Sequence, residues 1–313
     1  NPVGMSATER ALWERVREAQ LYLVDWREAN GSASSAEVDP VGCGMIGVEW
    51  SELTTTLGSL EAKRSACDPA WALQFLRWYR AAGLAPGDAV AIYSSASFPG
   101  MLLNAWLAAE AAGLQTLVVV SLGASTWGAN HPDAPWPVLE VALRRGGFLP
   151  GRANFYTLGG SGEVGGGLSA AAIARFRDAA GSAGVEILEA RELADMVELK
   201  SDLLRAQGAG LLVTIGGPHS SLGDDPEALR FPPGLSRPGG ALPAGNGVVA
   251  RVLDEGTPVV HVLDIRRLSQ RAGLPFDAPY GRRAPLHLSP GWALFGLALF
   301  FGVVLTHRRW RLV

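Results

Sequence analysis

Residues 51–64, Ser51-Glu-Leu-Thr-Thr-Thr-Leu-Gly-Ser-Leu-Glu-Ala-Lys-Arg64, form the most unusual polar stretch of the chain. Thr54, Thr55, Thr56 and Ser59 can offer hydroxyls and free backbone N–H groups to acceptor oxygens, with Lys63 and Arg64 supplying positive charge. The chemistry this implies is the binding of an anion, a carboxylate or a phosphate. The G-x-x-x-x-G-K-[ST] spacing of a P-loop is absent, and a capped turn with a solvated charged face would use the same residue types. Lys63 tips the balance towards a site, because of 27 basic residues only Lys63 and Lys200 are lysines.

Three further clusters carry hydroxyls and glycines. Ser94, Ser95 and Ser97 precede Phe98-Pro-Gly100; Ser121 and Ser125 lead to Trp127 and Asn130; Gly216 and Gly217 lead to His219 and Ser220. A nucleophile needs a base and an oxyanion site. Ser97, ahead of a helix start, is the candidate nucleophile, His219 or His131 the candidate base, and Glu49 the best lone general acid/base, followed by Glu61. The G-x-S-x-G signature is absent, and a serine near a helix start is more often a cap. His219 with Asp224 and Asp225, or His131 with Asp133, matches no metal-cage spacing, so neither a metal nor a cofactor is expected.

These clusters become one site only if strands deliver them to one edge. Asp88-Ala-Val-Ala-Ile-Tyr93, Leu117-Val-Val-Val-Ser121 and Gly210-Leu-Leu-Val-Thr-Ile215 are continuous apolar runs, which buried parallel strands require. A helix of strong formers, Met101 to Ala112, joins the first two. The expected fold is α/β, a Rossmann-like and mostly parallel sheet with helices on both faces, binding its ligand at the carboxyl ends of the strands. Ile46 to Trp50 and Val185 to Leu188 read as further strands. Helices are expected from Ala7 to about Ala29 behind a Ser6/Glu9 capping box, from Asp68 to near Gly83, and over 138–145, 169–183, 190–207 and 265–273. Leu158 to Gly167, rich in glycine, reads as a ligand-approaching loop or mobile lid, and 226–246 as loop. Residues 247–253 and 258–263 fit strand or helix. With no long strand before the glycine run, a dinucleotide site is not indicated.

The chain has 313 residues, 48% of them hydrophobic, a net charge of −3 and only 18% charged residues. That is ample for a core and argues against a nucleic-acid partner, which selects a basic patch. Cys43 and Cys67 flank the polar stretch; a disulfide formed outside the cytoplasm and two free core thiols both fit, because spacing alone does not decide. Trp292 to Thr306 carries no charge. Counted from Leu286, the run reaches about 32 Å as a helix, enough to cross a hydrocarbon core of about 30 Å. Trp292 and Trp310 suit the interfaces, and Arg308, Arg309 and Arg311 suit the cytoplasmic side. A buried terminal helix is the other reading, and Arg282 and Arg283 weaken the orientation. The expected layout is an amphipathic helix and loop over 1–40, an α/β domain over 41–275, a linker over 276–285, a membrane span over 286–307 and a basic tail over 308–313.

Ile46-Gly-Val-Glu49, Thr54-Thr-Thr-Leu-Gly-Ser-Leu-Glu-Ala-Lys-Arg64, Ser97-Phe-Pro99, Gly123-Ala-Ser125 with Trp127-Gly-Ala-Asn130, and Ile215-Gly-Gly217 together resemble the poly-gamma-glutamate system protein family. The resemblance spans roughly residues 40–275. It implies a membrane-associated partner of the machinery that makes or exports poly-γ-glutamate, with its main domain outside the cytoplasm and the bilayer as a second partner. The hydrophobic segment with which that family usually begins is absent here, as if a second, amino-terminal span had been removed. Cys43 and Cys67 depart from small polar residues of the pattern. A fainter similarity links Gly83 to Ile92 with the early region of adenylate-forming enzymes, without their Ser/Thr/Gly/Lys loop. The function expected is the binding of a glutamyl or phosphate-bearing anion; the alternative is an amide hydrolase or transferase acting on γ-glutamyl bonds. Oligomerisation is left open.

Overall fold

A computed structural model describes residues 5–240 and 243–280. The expected membrane span, the basic tail and the second half of the linker lie outside the described residues. Among those described, no helix is long and apolar enough to cross a membrane.

In chain order the elements are α1 (Ala7–Ala29), β1 (Thr54–Thr56), α2 (Leu60–Ala66), α3 (Ala70–Ala81), β2 (Ala89–Ser95), α4 (Pro99–Ala111), β3 (Gln115–Ser121), β4 (Ala124–Ser125), β5 (Asn130–His131), β6 (Ala134–Pro135) and α5 (Trp136–Arg145). There follow β7 (Phe155–Thr157), α6 (Ala170–Ala183), β8 (Glu186–Ile187), α7 (Leu193–Gln207), β9 (Leu212–Ile215), α8 (His219–Leu222), β10 (Gly234–Ser236), α9 (Val248–Asp254), β11 (Val259–Val262) and α10 (Ile265–Ala272).

The central sheet has seven strands in the order β10-β11-β9-β2-β3-β7-β8, parallel throughout except for β10. The chain starts in the middle at β2 and builds outward through β3, β7 and β8. Helix α7 then carries it back to β9, on the other side of β2. The building direction thus reverses between β2 and β9.

Strand period explains the two cores, since alternate side chains point to opposite faces. Val90, Ile92, Val118, Val120, Val213 and Ile215 face one core; Ala91, Tyr93, Leu117, Val119 and Leu212 face the other. Helices α7 and α9 cover the second face through Met196, Val197, Leu204 and Val252. The first face is thicker. Helix α4 is buried nearly all round, as expected of a helix enclosed by protein, and it packs on β2 and β3 below and on α1 and α3 above. Helix α1 begins at the expected capping box, and its Trp13, Val16 and Leu23 belong to the same core as the sheet. The amino-terminal helix is therefore part of the globule.

Two expectations need correction. Ile46 to Trp50 is not a strand. The Gly47 N–H and the Val48 carbonyl pair with the Trp127 backbone, but the Val48 N–H goes to the Asn130 side chain at 3.0 Å, so the pairing stops after one residue instead of running on as a ladder. The 226–246 stretch is not all loop: it holds a 3-10 turn at Pro226–Arg230 and the edge strand β10. Cys43 and Cys67 are free and buried, matching the core-thiol reading. Of the linker, residues up to Tyr280 are described and are docked: Asp277 N–H bonds Ser65 Oγ at 2.7 Å, and the Asp277 carboxylate pairs with Arg64 at 3.5 Å.

Candidate functional site

The reversal between β2 and β9 leaves a crevice at the carboxyl edge of the sheet, the place where open α/β sheets take ligands. A cavity of about 370 Å³ occupies it. Each parallel strand around it hands over a polar turn: Ser95 and Ser97 from β2, Ser121 and Gly123 from β3. The glycine-rich loop after β7 adds Ser161, and the turn after β9 adds Gly217 and His219. Strand β1 joins from outside the sheet by pairing in parallel with β4, which carries Thr55 and Thr56 to the rim.

Two glycines make this convergence feasible. Gly216 turns the chain out of β9 with φ +74°, and a Cβ there would stand 3.0 Å from the Ser95 Cβ. At Gly123 a Cβ would meet the Thr55 Cγ2 at 2.8 Å and the Gly160 nitrogen at 3.0 Å, so three loops close on one another only because that position has no side chain.

The hydroxyls of the β2 wall are linked. Ser95 Oγ is 2.7 Å from Ser97 Oγ, which also accepts the Ser125 N–H at 2.9 Å. Behind this wall stands Lys63. Ser59 caps α2 by accepting the Ala62 N–H, and the helix then points Lys63 inward, leaving it 3% exposed. Its Nζ donates to the Ser97 carbonyl at 2.6 Å, lies 2.7 Å from Ser125 Oγ, and sits 3.6 Å from the centre of the Phe98 ring. All three partners are neutral. Burial accordingly pulls the Lys63 pKa down to about 7, with the Cys67 thiol opposing weakly. Arg64, one residue on, turns away to the carbonyls of Val38 and Glu37 and to Asp277.

The opposite wall is the glycine-rich stretch, held by an ion pair that the sequence reading missed. Glu163 and Lys200 are each 1% exposed and 2.7 Å apart. Glu163 also accepts from Thr157 Oγ1 at 2.7 Å, from the Ser220 N–H at 2.9 Å, and from the Ser220 hydroxyl. Burial pushes this carboxyl up, but the Lys200 ammonium and the hydroxyl donors outweigh it and hold it below its ordinary value. Beside the pair, Gly162 N–H donates to His219 Nδ1 at 2.8 Å. With Nδ1 accepting, the neutral imidazole carries its proton on Nε2. The loop is thereby tied to α7 and α8.

The expected site residues fall into four groups. Thr55, Thr56, Ser95, Ser97, Ser121, Gly217 and His219 line the cavity. Lys63 and Ser125 stand one contact behind it. Others build the scaffold: Asn130 clips Val48 and the Thr54 hydroxyl, Trp127 takes φ +64° in the turn between β4 and β5, Ser94 Oγ bonds the Ser95 carbonyl, and Gly216 makes the turn. The remainder lie elsewhere: Glu49 is exposed outside the cavity, Ser59 caps α2, and Arg64 faces the linker. Ser97 and His219 share the cavity, but the hydrogen bonds of each go to other groups. Lys200 and Glu163 carried one usable signal: Lys200 is the second of two lysines, the same anomaly that singled out Lys63. Compared with known proteins, the chain matches no protein-family description, no curated protein and no solved structure.

Proposed function

We propose that this chain is a membrane-anchored binding protein whose switch-point cavity takes a small anion, a glutamyl unit or a phosphate-bearing compound, in the service of poly-γ-glutamate synthesis or export. One observation carries the binding reading. Four parallel strands and the threonine run end on a single cavity walled by Ser, Thr and Gly, with Lys63, whose partners are all neutral, directly behind Ser97. Such a wall offers hydrogen bonds without a competing carboxylate, as an anion requires. The strand order, reversing beside β2, supports a Rossmann-like, doubly wound arrangement. The pathway rests on the motif resemblance, and the anchor on the apolar run Trp292–Thr306 with its arginine flank.

Calorimetry of the full chain in detergent against γ-glutamyl oligomers tests this reading. Binding is expected, and Gly217→Leu is expected to weaken it more than about tenfold. Gly217 lines the cavity, and a Cβ there meets the Leu222 and Leu263 methyls at ordinary contact distances of 3.5 and 3.6 Å, so the position accepts a side chain without moving the backbone. Equal affinity in the variant would place the ligand elsewhere.

A second reading, hydrolysis or transfer at γ-glutamyl amides, is favoured by the Ser97 hydroxyl, which lines the cavity and accepts from both Ser95 and the Ser125 N–H. Donors on a serine oxygen stabilise its alkoxide. Under that reading a fluorophosphonate labels Ser97, and the adduct disappears in Ser97→Ala. An unlabelled protein that still binds glutamyl ligands leaves binding as the function.

A further inference from the structure

We propose that Lys63 takes up a proton as the cavity takes its anion, so that the ligand is one bearing a carboxylate or a phosphate-type oxyanion and its binding is proton-coupled. This rests on reading the cavity as an anion site.

The geometry sets an unusual demand. Lys63 is buried, yet what surrounds its Nζ is a carbonyl, a hydroxyl and an aromatic face. A buried ammonium normally has an acidic partner, as Lys200 has in Glu163. Around Lys63 each packing element supplies something neutral. On α2 the titratable neighbour is the Cys67 thiol, while Arg64 is turned out to Asp277. The start of α4 supplies Phe98, and β4 supplies Ser125. Across the cavity, Glu163 is already matched by Lys200, and His219 on that wall takes the Gly162 N–H. The missing negative charge therefore has one place to come from, the cavity on the far side of Ser97.

Burial already brings Lys63 to a midpoint of about 7, so near neutrality the empty site is a mixture of amine and ammonium. An anion against the Ser95–Ser97 wall stabilises the ammonium and raises that midpoint. The balance is simple: the neutral amine, one proton from solvent and the anion become an ammonium held beside the anion, with no bond between heavy atoms formed or broken. By linkage, affinity is flat below about pH 7 and falls up to about tenfold per unit above it, until the midpoint of the bound state is reached. A neutral ligand of the same shape recruits no proton.

Titration calorimetry of the full chain in detergent tests this, with each titration run in two buffers of different ionisation enthalpy. N-acetylglutamate is the carboxylate arm, and sulfate, which does not itself titrate here, is the phosphate-type arm. The arm that binds identifies the ligand class. Proton uptake is expected to be near zero at about pH 6 and more than roughly half a proton per ligand at about pH 8. Lys63→Met is expected to abolish the uptake and lower affinity at least about tenfold at pH 6. Because the chain has two lysines, carbon-13 labelling at Cε gives two signals, and the unsubstituted protein reports the Lys63 midpoint directly. Binding with no uptake, or uptake that survives in Lys63→Met, overturns the inference and leaves the cavity as a binding site. If neither anion binds at any pH, the anion-site reading falls as well.

Discussion

Replacing Lys63 with methionine makes the folded chain more stable at about pH 6 and less stable at about pH 10. Burial lowers the Lys63 pKa from an ordinary 10.5 to about 7. At about 1.4 kcal/mol per unit, carrying the charged form inside costs on the order of 4–5 kcal/mol below pH 7. Methionine removes that penalty, leaving the Ser97 carbonyl and the Ser125 hydroxyl without their donor, at about 1 kcal/mol each. The penalty exceeds the loss, so a net gain of about 2 kcal/mol is expected in acid. The sign then reverses. Between pH 7 and 10.5 the unfolded lysine holds its proton while the folded one has released it, so the stability of the unsubstituted protein rises with pH. At the top of that window only the lost hydrogen bonds remain in the comparison. Urea unfolding of the two proteins at several pH values measures the crossing; parallel curves would show that Lys63 is not held in a desolvated site. A buried residue that weakens the fold at neutral pH fits a functional use.

Glu163→Gln is the opposite case and the larger loss. The substitution preserves shape and some hydrogen bonding but leaves the Lys200 ammonium, 1% exposed, without a counter-charge. Stranding one member of a buried pair costs about 3–5 kcal/mol. The double variant Glu163→Gln/Lys200→Met is expected to recover most of it, because the pair contributes little net stability once both members are gone. The pH behaviour differs from that of Lys63. The Glu163 carboxyl lies below its ordinary value of 4.5, so its contribution is complete above that value and is lost only as acid titrates the folded form. Denaturant melts at neutral pH decide the matter: a single variant within 1 kcal/mol of the unsubstituted protein would mean that water reaches Lys200.

What could be read from the residues follows their physics closely. Strands β2, β3 and β9 are legible because each is buried on both sides and so reads as a continuous apolar run. Strand β8 falls inside the expected Val185–Leu188 run, whereas β7 and β10 are three residues long and too short to carry a period. The Ile46–Trp50 error has a local cause: an apolar run looks like a strand whether its backbone partners come from a ladder or, as here, from the Asn130 side chain and the single residue Trp127. The gathering of Thr55, Ser97 and Gly217 was legible because hydroxyls at strand ends share an edge. The use of each hydroxyl was not. Thr54 and Ser95 look alike as letters, yet one is fastened to Asn130 and the other faces the cavity. Glu163 was hidden because its φ of +60° belongs to a glycine-like turn, in a run where nothing suggested a buried carboxylate.

The near-absence of lysine has a practical consequence. Both ε-amines of the chain are enclosed, while the cations of the surface are guanidinium groups. Succinimidyl esters and amine crosslinkers therefore meet no reactive side chain on the native fold, and an acylated lysine records a moment at which the interior was open. Lys63 and Lys200 lie behind opposite walls of one cavity, so the ratio of their acylation rates tells which wall yields first.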